Sequence, residues 1–285
     1  MKVGFLGTGL MGKPLVQRLL TAKIPVIAYN RTASKLDELK TAGVEVVDSP
    51  ESAIANSDCI ILMLTNASAI EQVLLSDRAK IQLKGRTIIQ MGTISPQESQ
   101  EIEKQVIAAG GEYLEAPVLG SIPEAETGKL IVMVGGTSEQ FVKWSNLLKN
   151  FGSEPRLIGA VGTAAAVKLA LNQLIASLTT AFALSLSLVE KQGVEVETFM
   201  EILRQSALYA PTFDKKLKRM LERDFTKPNF PTKHLLKDTN LFLNQAQSNN
   251  LNTNSLEGVR QILEIAQQMG LADADYSALF NAVNP

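Results

Sequence analysis

The chain has 285 residues, 45% hydrophobic and 20% charged, with a formal net charge of −1, which is long enough for two domains and a sizeable core. That balance holds no basic surplus to argue for nucleic acid or an anionic membrane as a partner. One cysteine excludes an internal disulfide and a cysteine-built metal centre; Cys59 lies in an apolar run and reads as core packing, in keeping with a reducing, cytoplasmic compartment.

The chain opens on a short apolar run, Val3 to Leu6, that meets glycines at Gly7, Gly9 and Gly12. Gly7 lets a strand turn tightly, Gly9 lets a pyrophosphate approach the backbone, and Gly12 lets the next helix pack close to the sheet. The amphipathic positions Leu15, Val16, Leu19 and Leu20 follow, then a second strand ending at Tyr29. This context predicts a dinucleotide-binding turn with phosphates at the helix N-terminus. Gly7, Gly9, Lys13 and Pro14 break the apolar stretch, so no signal peptide is expected.

Strands are expected at 2–6, 26–29, 45–47, 59–64, 87–90, 112–115, 130–134 and 154–158. Helices are expected at 13–21, 34–42, 49–56, 67–74, 96–109 and 138–150. Such alternation predicts an α/β Rossmann domain built on a doubly wound parallel sheet. After Gly162 strand signals vanish, and helices are expected at 163–192, 197–206, 211–222, 232–249, 255–269 and 274–282. The domains are therefore placed at 1–161 and 162–285, the second all-helical and joined by the long helix. Gly193 is expected to close that helix as its C′ residue, and Thr232 to cap a later one after Pro231. Lys168 to Glu190 encloses a charge-free stretch about one bilayer span long. Asn172, Gln173, Ser177, Thr179, Thr180, Ser185 and Ser187 interrupt it, so it reads as a buried helix and not a membrane span.

Where an NAD-binding chain would end its second strand on a carboxylate, this one has Asn30-Arg31-Thr32. Arg31 can pair with a 2′-phosphate, and Asn30 and Thr32 can donate hydrogen bonds, which favours NADP(H); a solvated strand-end arginine is the other reading. Lys168 and Asn172, spaced i, i+4, share one face near the start of the long helix. Ligands of doubly wound proteins bind at the strand carboxyl ends, towards a second domain. A lysine there can donate to a carbonyl oxygen, or it can snorkel to water; the spacing leaves both open. The lone His234 reads as a packing or surface residue. Lys233 and Lys237, one turn apart, form either a carboxylate site or a solvated basic face.

Taken together, these segments resemble the β-hydroxyacid dehydrogenase (3-hydroxyisobutyrate dehydrogenase-like) family over essentially the whole chain. The resemblance lies in Gly4 to Gly12, Met91-Gly92-Thr93-Ile94-Ser95-Pro96, Glu115-Ala116-Pro117-Val118-Leu119-Gly120-Ser121, Gly162 to Asn172, and Lys237-Asp238. The Asn30-Arg31-Thr32 run and the stretch from Phe230-Pro231 through Lys233-His234 to Lys237-Asp238 are most similar to the glyoxylate/succinic semialdehyde reductase branch. The resemblance implies NADPH-dependent reduction of a small carboxylated aldehyde to a hydroxy acid, with Lys168 as proton donor and Asn172 assisting. It implies cofactor contacts from Gly7, Gly9, Leu10, Met11, Gly12, Asn30, Arg31, Thr32, Met63, Leu64, Thr65, Thr93 and Lys237. Substrate contacts are implied for Thr93, Leu119, Gly120, Ser121, Lys168, Asn172, Phe230 and Asp238. Relatives form dimers or tetramers, so a homo-oligomer is expected. Leu119 departs from the family, which usually has there a serine that helps hold the substrate carboxylate; backbone N–H groups of Leu119 and Gly120, Ser121 or a lysine must substitute. Three rivals remain: an NAD-linked 3-hydroxyisobutyrate-type dehydrogenase, a cofactor-binding protein with weakened catalysis, and an imine reductase.

Overall fold

β1 (Val3–Leu6) is buried at every position, as a strand covered on both faces must be. The computed structural model, which describes residues 1–285, continues through α1 (Gly12–Thr21), β2 (Val26–Tyr29), a 3-10 turn (Ala33–Leu36) that runs into α2 (Asp37–Thr41), and β3 (Glu45–Val46). Then come α3 (Pro50–Ala55), β4 (Cys59–Leu62), α4 (Ala67–Leu74), α5 (Asp77–Lys80), β5 (Thr87–Gln90), α6 (Pro96–Ala108) and β6 (Glu112–Glu115). β7 (Val118–Leu119), α7 (Ile122–Thr127), β8 (Ile131–Gly135), α8 (Ser138–Leu148) and β9 (Arg156–Gly159) precede the long helix α9 (Thr163–Lys191). Two compact units result, Met1–Lys168 and Leu169–Pro285, so the division falls inside α9, whereas the expected boundary at 161/162 marks its start.

In the first unit the sheet order is β3-β2-β1-β4-β5-β6-β8-β7, with β9 beside β8. From β3 to β6 all pairings are parallel, and the winding reverses between β1 and β4, the switch point at which doubly wound sheets bind ligands. Tyr29, Leu6, Leu62, Gln90 and Glu115 stand in one row across the sheet. The loops that follow them therefore leave from a single edge. Strand residues alternate between two cores: Val3, Phe5, Ala28, Ile61, Ile89 and Leu114 pack with α1 and α8, while Leu6, Ile27, Ile60, Leu62, Ile88 and Tyr113 pack with α3, α4 and α6.

Several local expectations are corrected. The sheet is not wholly parallel: β8 runs antiparallel to β6 and β7, because residues 120–130 hold only the short α7 and the chain turns back without a full crossover. β7, α5 and α7 are too short to leave a periodic signal. The expected helix at 34–42 begins as a 3-10 turn, a tightening common at helix ends. β4 stops at Leu62 and the chain turns towards Asn66, whose Oδ1 accepts from Ala69 N at 2.9 Å and caps α4. β9 starts at Arg156, one residue beyond Pro155, which has no N–H to donate.

In the second unit α9 is followed by α10 (Val196–Gln205), α11 (Pro211–Glu222), α12 (Thr232–Ser248), α13 (Asn254–Gln268), a 3-10 turn (Tyr276–Ala278) and α14 (Leu279–Val283). Gly193 closes α9 as expected: its φ is +70°, its N–H donates to Glu190 O, and Val194 N donates to Val189 O, a Schellman arrangement. Thr232 is not the cap of α12. Pro231 holds that position, and Thr232 Oγ1 donates to Ala274 O at 3.1 Å. The expected helix at 274–282 is divided because Asp275 caps the 3-10 turn through Ser277 N. The core gathers Ala176, Phe182, Ala183 and Leu186 of α9 with Met200, Phe213, Met220, Leu235, Leu263 and Phe280; Phe182 and Phe213 stack at 4.6 Å. Helix α9 is long and apolar enough to cross a membrane, but it is not buried all round as expected. Its polar Thr180 and Ser187 face inward and donate to Ala176 O and Ala183 O. Leu174, Leu178, Leu184 and Leu188 lie exposed.

Candidate active site

The glycine turn sits at the edge where the strand row ends. Gly7 has φ +102°, and a Cβ there would lie 2.4 Å from Met63 O; a Cβ on Gly12 would lie 1.9 Å from Gly7 O. Only glycine lets the turn, the β4 loop and the first turn of α1 approach this closely. A Cβ on Gly9 would meet nothing within 4 Å. No side chain caps α1 and its first turn holds no acidic residue. Open space before an uncapped helix N-terminus fits a pyrophosphate. Leu10 is exposed and Met11 half-buried beside it.

At the end of β2, Asn30 Nδ2 donates to Thr8 Oγ1 at 2.9 Å and Asn30 Oδ1 accepts from Thr32 N at 3.0 Å. Both ends of this amide help to shape the loop, and Arg31 is exposed beside it. Met63 and Leu64 are half-buried and Thr65 is exposed where the chain leaves β4. The loop carrying Thr93 is held from both sides. Gln90 Oε1 accepts from Gly92 N at 2.7 Å and Gln90 Nε2 donates to Gly92 O at 2.9 Å. Ser95 and Glu98 then form a capping box on α6. Leu119, in β7, pairs with Ile131; Gly120 is exposed with φ +130°. Ser121 Oγ donates to Glu124 Oε2 at 2.7 Å, so the hydroxyl suggested as a substitute for the family serine already has an acceptor.

The residue that sequence reasoning missed is Glu115, the last of the strand row and 1% exposed. Gly162, at the head of α9, has no side chain to cap the helix, and Thr163 Oγ1 donates backwards to Ala160 O. Glu115 Oε1 accepts instead from Gly162 N, Ala164 N and Ala165 N at 2.8, 2.9 and 3.0 Å. Glu115 Oε2 accepts from Ser99 Oγ at 2.6 Å, and Ser99 Oγ lies 2.9 Å from Tyr113 OH. Burial raises the Glu115 carboxyl above its ordinary range, against the pull of these donors. The sequence offered it only as the acidic end of the strand Glu112-Tyr113-Leu114-Glu115 and the first residue of the Glu115 to Ser121 segment. Lys168 follows in the same helix, buried at 9% exposure.

Within the second unit, Asn172 and Asp238, each 2% exposed, are joined by Asn172 Nδ2 donating to Asp238 Oδ2 at 2.6 Å. Lys237 Nζ lies 2.8 Å from Asp238 Oδ1. A carboxylate only accepts, which fixes the amide and turns Asn172 Oδ1 away from it; that oxygen is buried with no hydrogen-bond partner and suits a donor on a ligand. Phe230 stands edge-on to Tyr276 at 5.9 Å. Lys233 pairs with Asp273 at 2.5 Å. Burial and the charges of Lys237 and Lys233 push the His234 imidazole below its ordinary range. Burial pushes the Cys59 thiol up to about 12, in line with an inert packing residue.

Comparison with known proteins adds independent findings. A family model described as the NAD binding domain of 6-phosphogluconate dehydrogenase matches residues 2–162. A second, described as NAD-binding of NADP-dependent 3-hydroxyisobutyrate dehydrogenase, matches residues 162–283. Glyoxylate/succinic semialdehyde reductase 1 of Arabidopsis thaliana is 33% identical over 285 residues, covering 99% of this chain and 98% of that protein. Cytokine-like nuclear factor N-PAC of Homo sapiens is 28% identical over 283 residues, 99% of this chain but 51% of that protein. A crystal structure of 3-hydroxyisobutyrate dehydrogenase from Salmonella typhimurium shares the fold, with a TM-score of 0.89, 22% identity and 99% of each chain covered.

Proposed function

The chain belongs to the 3-hydroxyisobutyrate dehydrogenase-like family of NAD(P)-dependent hydroxyacid dehydrogenases, in the branch of the glyoxylate/succinic semialdehyde reductases, and on that premise we propose that it reduces small carboxylated aldehydes such as succinic semialdehyde or glyoxylate with NADPH. The observation that carries the reading is the 33% identity to such a reductase across 98% of that protein's length. The absence of a carboxylate at Asn30-Arg31-Thr32, with Arg31 exposed, supports NADPH over NADH.

A bound dihydronicotinamide supplies the hydride. The backbone of the Gly7 to Gly12 turn holds the pyrophosphate, Arg31 and Thr32 the 2′-phosphate, and Met63 to Thr65, Thr93 and Lys237 the rest of the cofactor. Thr93 and the backbone at Leu119 and Gly120 seat the substrate, beside Ser121, whose hydroxyl and N–H donate to Glu124. Phe230 walls the pocket. Lys168 Nζ donates its proton to the carbonyl oxygen as negative charge develops there. Asn172, anchored by Asp238, assists through Oδ1, which accepts from the hydroxyl formed once the proton has arrived. We also propose that the chain works in the cytoplasm, its one thiol buried, and that it assembles as a homodimer or homotetramer through the exposed apolar face of α9.

The test is NADPH oxidation with glyoxylate, succinic semialdehyde, tartronate semialdehyde and methylmalonate semialdehyde, repeated with NADH. Lys168→Ala is expected to lower turnover roughly 100- to 10,000-fold, the usual contribution of a general acid, while NADPH still binds in a fluorescence titration. Unchanged turnover removes Lys168 from the mechanism. Leu119 favours a second reading, a cofactor-binding protein with weakened catalysis; NADPH binding without reduction of any member of the panel would establish it.

A further inference from the structure

We propose that Glu115 is the positioning residue of the reaction, a carboxylate that holds the first turn of α9 and thereby sets where the Lys168 side chain lies. The proposal rests on the reading of Lys168 as proton donor.

Helix N-termini leave N–H groups without intrahelical partners, and a local Ser, Thr, Asp or Asn ordinarily satisfies one of them. Here the cap position is Gly162, and the adjacent Thr163 hydroxyl is committed to Ala160 O. The donors go instead to a side chain 47 to 50 residues earlier in the chain. Three N–H groups converge on the single atom Oε1, which fixes the turn's direction as well as its position. Ala164 and Ala165 precede Lys168 by four and three residues, so the tethered turn lies directly beneath the lysine on the same helix face. A shift of that turn is a shift of the lysine.

The tether is itself rigidly held. Glu115 ends the strand row, paired with Gln90 of β5 and Gly135 of β8. Its other oxygen accepts from Ser99 of α6, which meets the buried Tyr113 hydroxyl. A Cβ at position 135 would lie 2.4 Å from Glu115 Oε1, so Gly135 keeps the space that the carboxylate fills. A second strut comes from α6, where Gln100 Nε2 donates to Val161 O at 3.2 Å. Glutamine can reproduce this geometry, with Oε1 accepting the same three N–H groups and Ser99 Oγ accepting from Nε2. Aspartate is one methylene too short. Displacements of about 1 Å cost catalysis up to 100-fold.

The experiment compares Glu115→Asp, Glu115→Gln and Lys168→Ala, with Glu115→Asp also placed in the Lys168→Ala background. Glu115→Asp is expected to lower kcat about 10- to 100-fold with the KM for NADPH unchanged. Glu115→Gln is expected to recover at least tenfold of that loss. In the Lys168→Ala background Glu115→Asp should cost nothing further, because both substitutions disable one group. A loss that multiplies with that of Lys168→Ala, or one that falls on the KM for NADPH, overturns the proposal. Native-state hydrogen exchange gives a readout independent of turnover: the amides of Gly162, Ala164 and Ala165 should lose protection in Glu115→Asp and keep it in Glu115→Gln. If Lys168→Ala leaves turnover intact while exchange behaves as expected, the role of Lys168 falls and the hold of Glu115 on the helix stands. Unaltered exchange in Glu115→Asp sinks the hold itself, and Glu115→Gln provides the folded comparison should the shorter side chain prevent folding.

Discussion

Arg31 and Glu115 illustrate two kinds of residue-level inference. Arg31 is read from its position along the chain: it follows the second strand, where a carboxylate would meet a ribose 2′-hydroxyl. The structure adds that Asn30 next to it bonds Thr8 Oγ1 and Thr32 N, which shapes the loop that carries the exposed arginine. Arg31→Asp is expected to lower the ratio of kcat/KM with NADPH to that with NADH about 10- to 100-fold, the scale of charge-assisted hydrogen bonds worth about 1.5–3 kcal/mol. An unchanged ratio assigns the preference elsewhere. Glu115 was not legible, because nothing near it in sequence announces that three amides, at Gly162, Ala164 and Ala165, will converge on one of its oxygens.

At the scale of the element, α11 carries a charged residue on its buried face, between Phe213 and Met220. Lys216, 8% exposed at its side chain, meets Asp275 at 2.7 Å and lies 4.2 Å from the centre of the Tyr276 ring. Burial alone would raise the Asp275 carboxyl, but the Lys216 ammonium and the Ser277 hydroxyl and amide outweigh it and hold it below its ordinary range. A carboxyl held low in the folded chain contributes stability that is present above its unfolded pKa of about 3.9 and is lost as pH falls through the folded value. Lys216→Met should cost about 3–5 kcal/mol in urea unfolding at neutral pH, because it strands a buried charge. With the cation gone, burial raises the folded pKa of Asp275, so the variant should regain stability on acidification towards about pH 4, the reverse of the wild-type trend. A loss within 0.5 kcal/mol (about the scatter of surface substitutions) would show that the pair is not a support. The start of α12 carries a related lesson. Thr232 has the right chemistry for a cap, yet its hydroxyl is drawn to Ala274 O, a carbonyl that only folding brings near.

At the scale of the whole molecule, the exposed face of α9 bears on assembly. Leu174, Leu178, Leu184 and Leu188 are 49%, 38%, 63% and 62% exposed, large apolar side chains on one helix of the kind that interfaces cover. If the chain assembles as proposed, through this face, Leu184→Glu with Leu188→Glu is expected to give monomers in sedimentation where the wild type gives dimers or tetramers, since burying two carboxylates there is costly; a wild-type monomer, or an unchanged mass in the variant, overturns that proposal. By itself the sequence determined the strand–helix alternation, the glycine turn, the Gly193 helix end, and the Lys168 and Asn172 spacing. These depend on side-chain periodicity and backbone freedom, which act over a few residues. Only the tertiary structure decided the antiparallel return of β7 and β8, the Glu115 tether, the Asn172–Asp238 link across 66 residues and the Lys216–Asp275 pair across 59. Each of these joins a buried polar group to a partner that packing delivers. Burial makes a partner obligatory, but where along the chain that partner lies is settled by which surfaces the fold brings together.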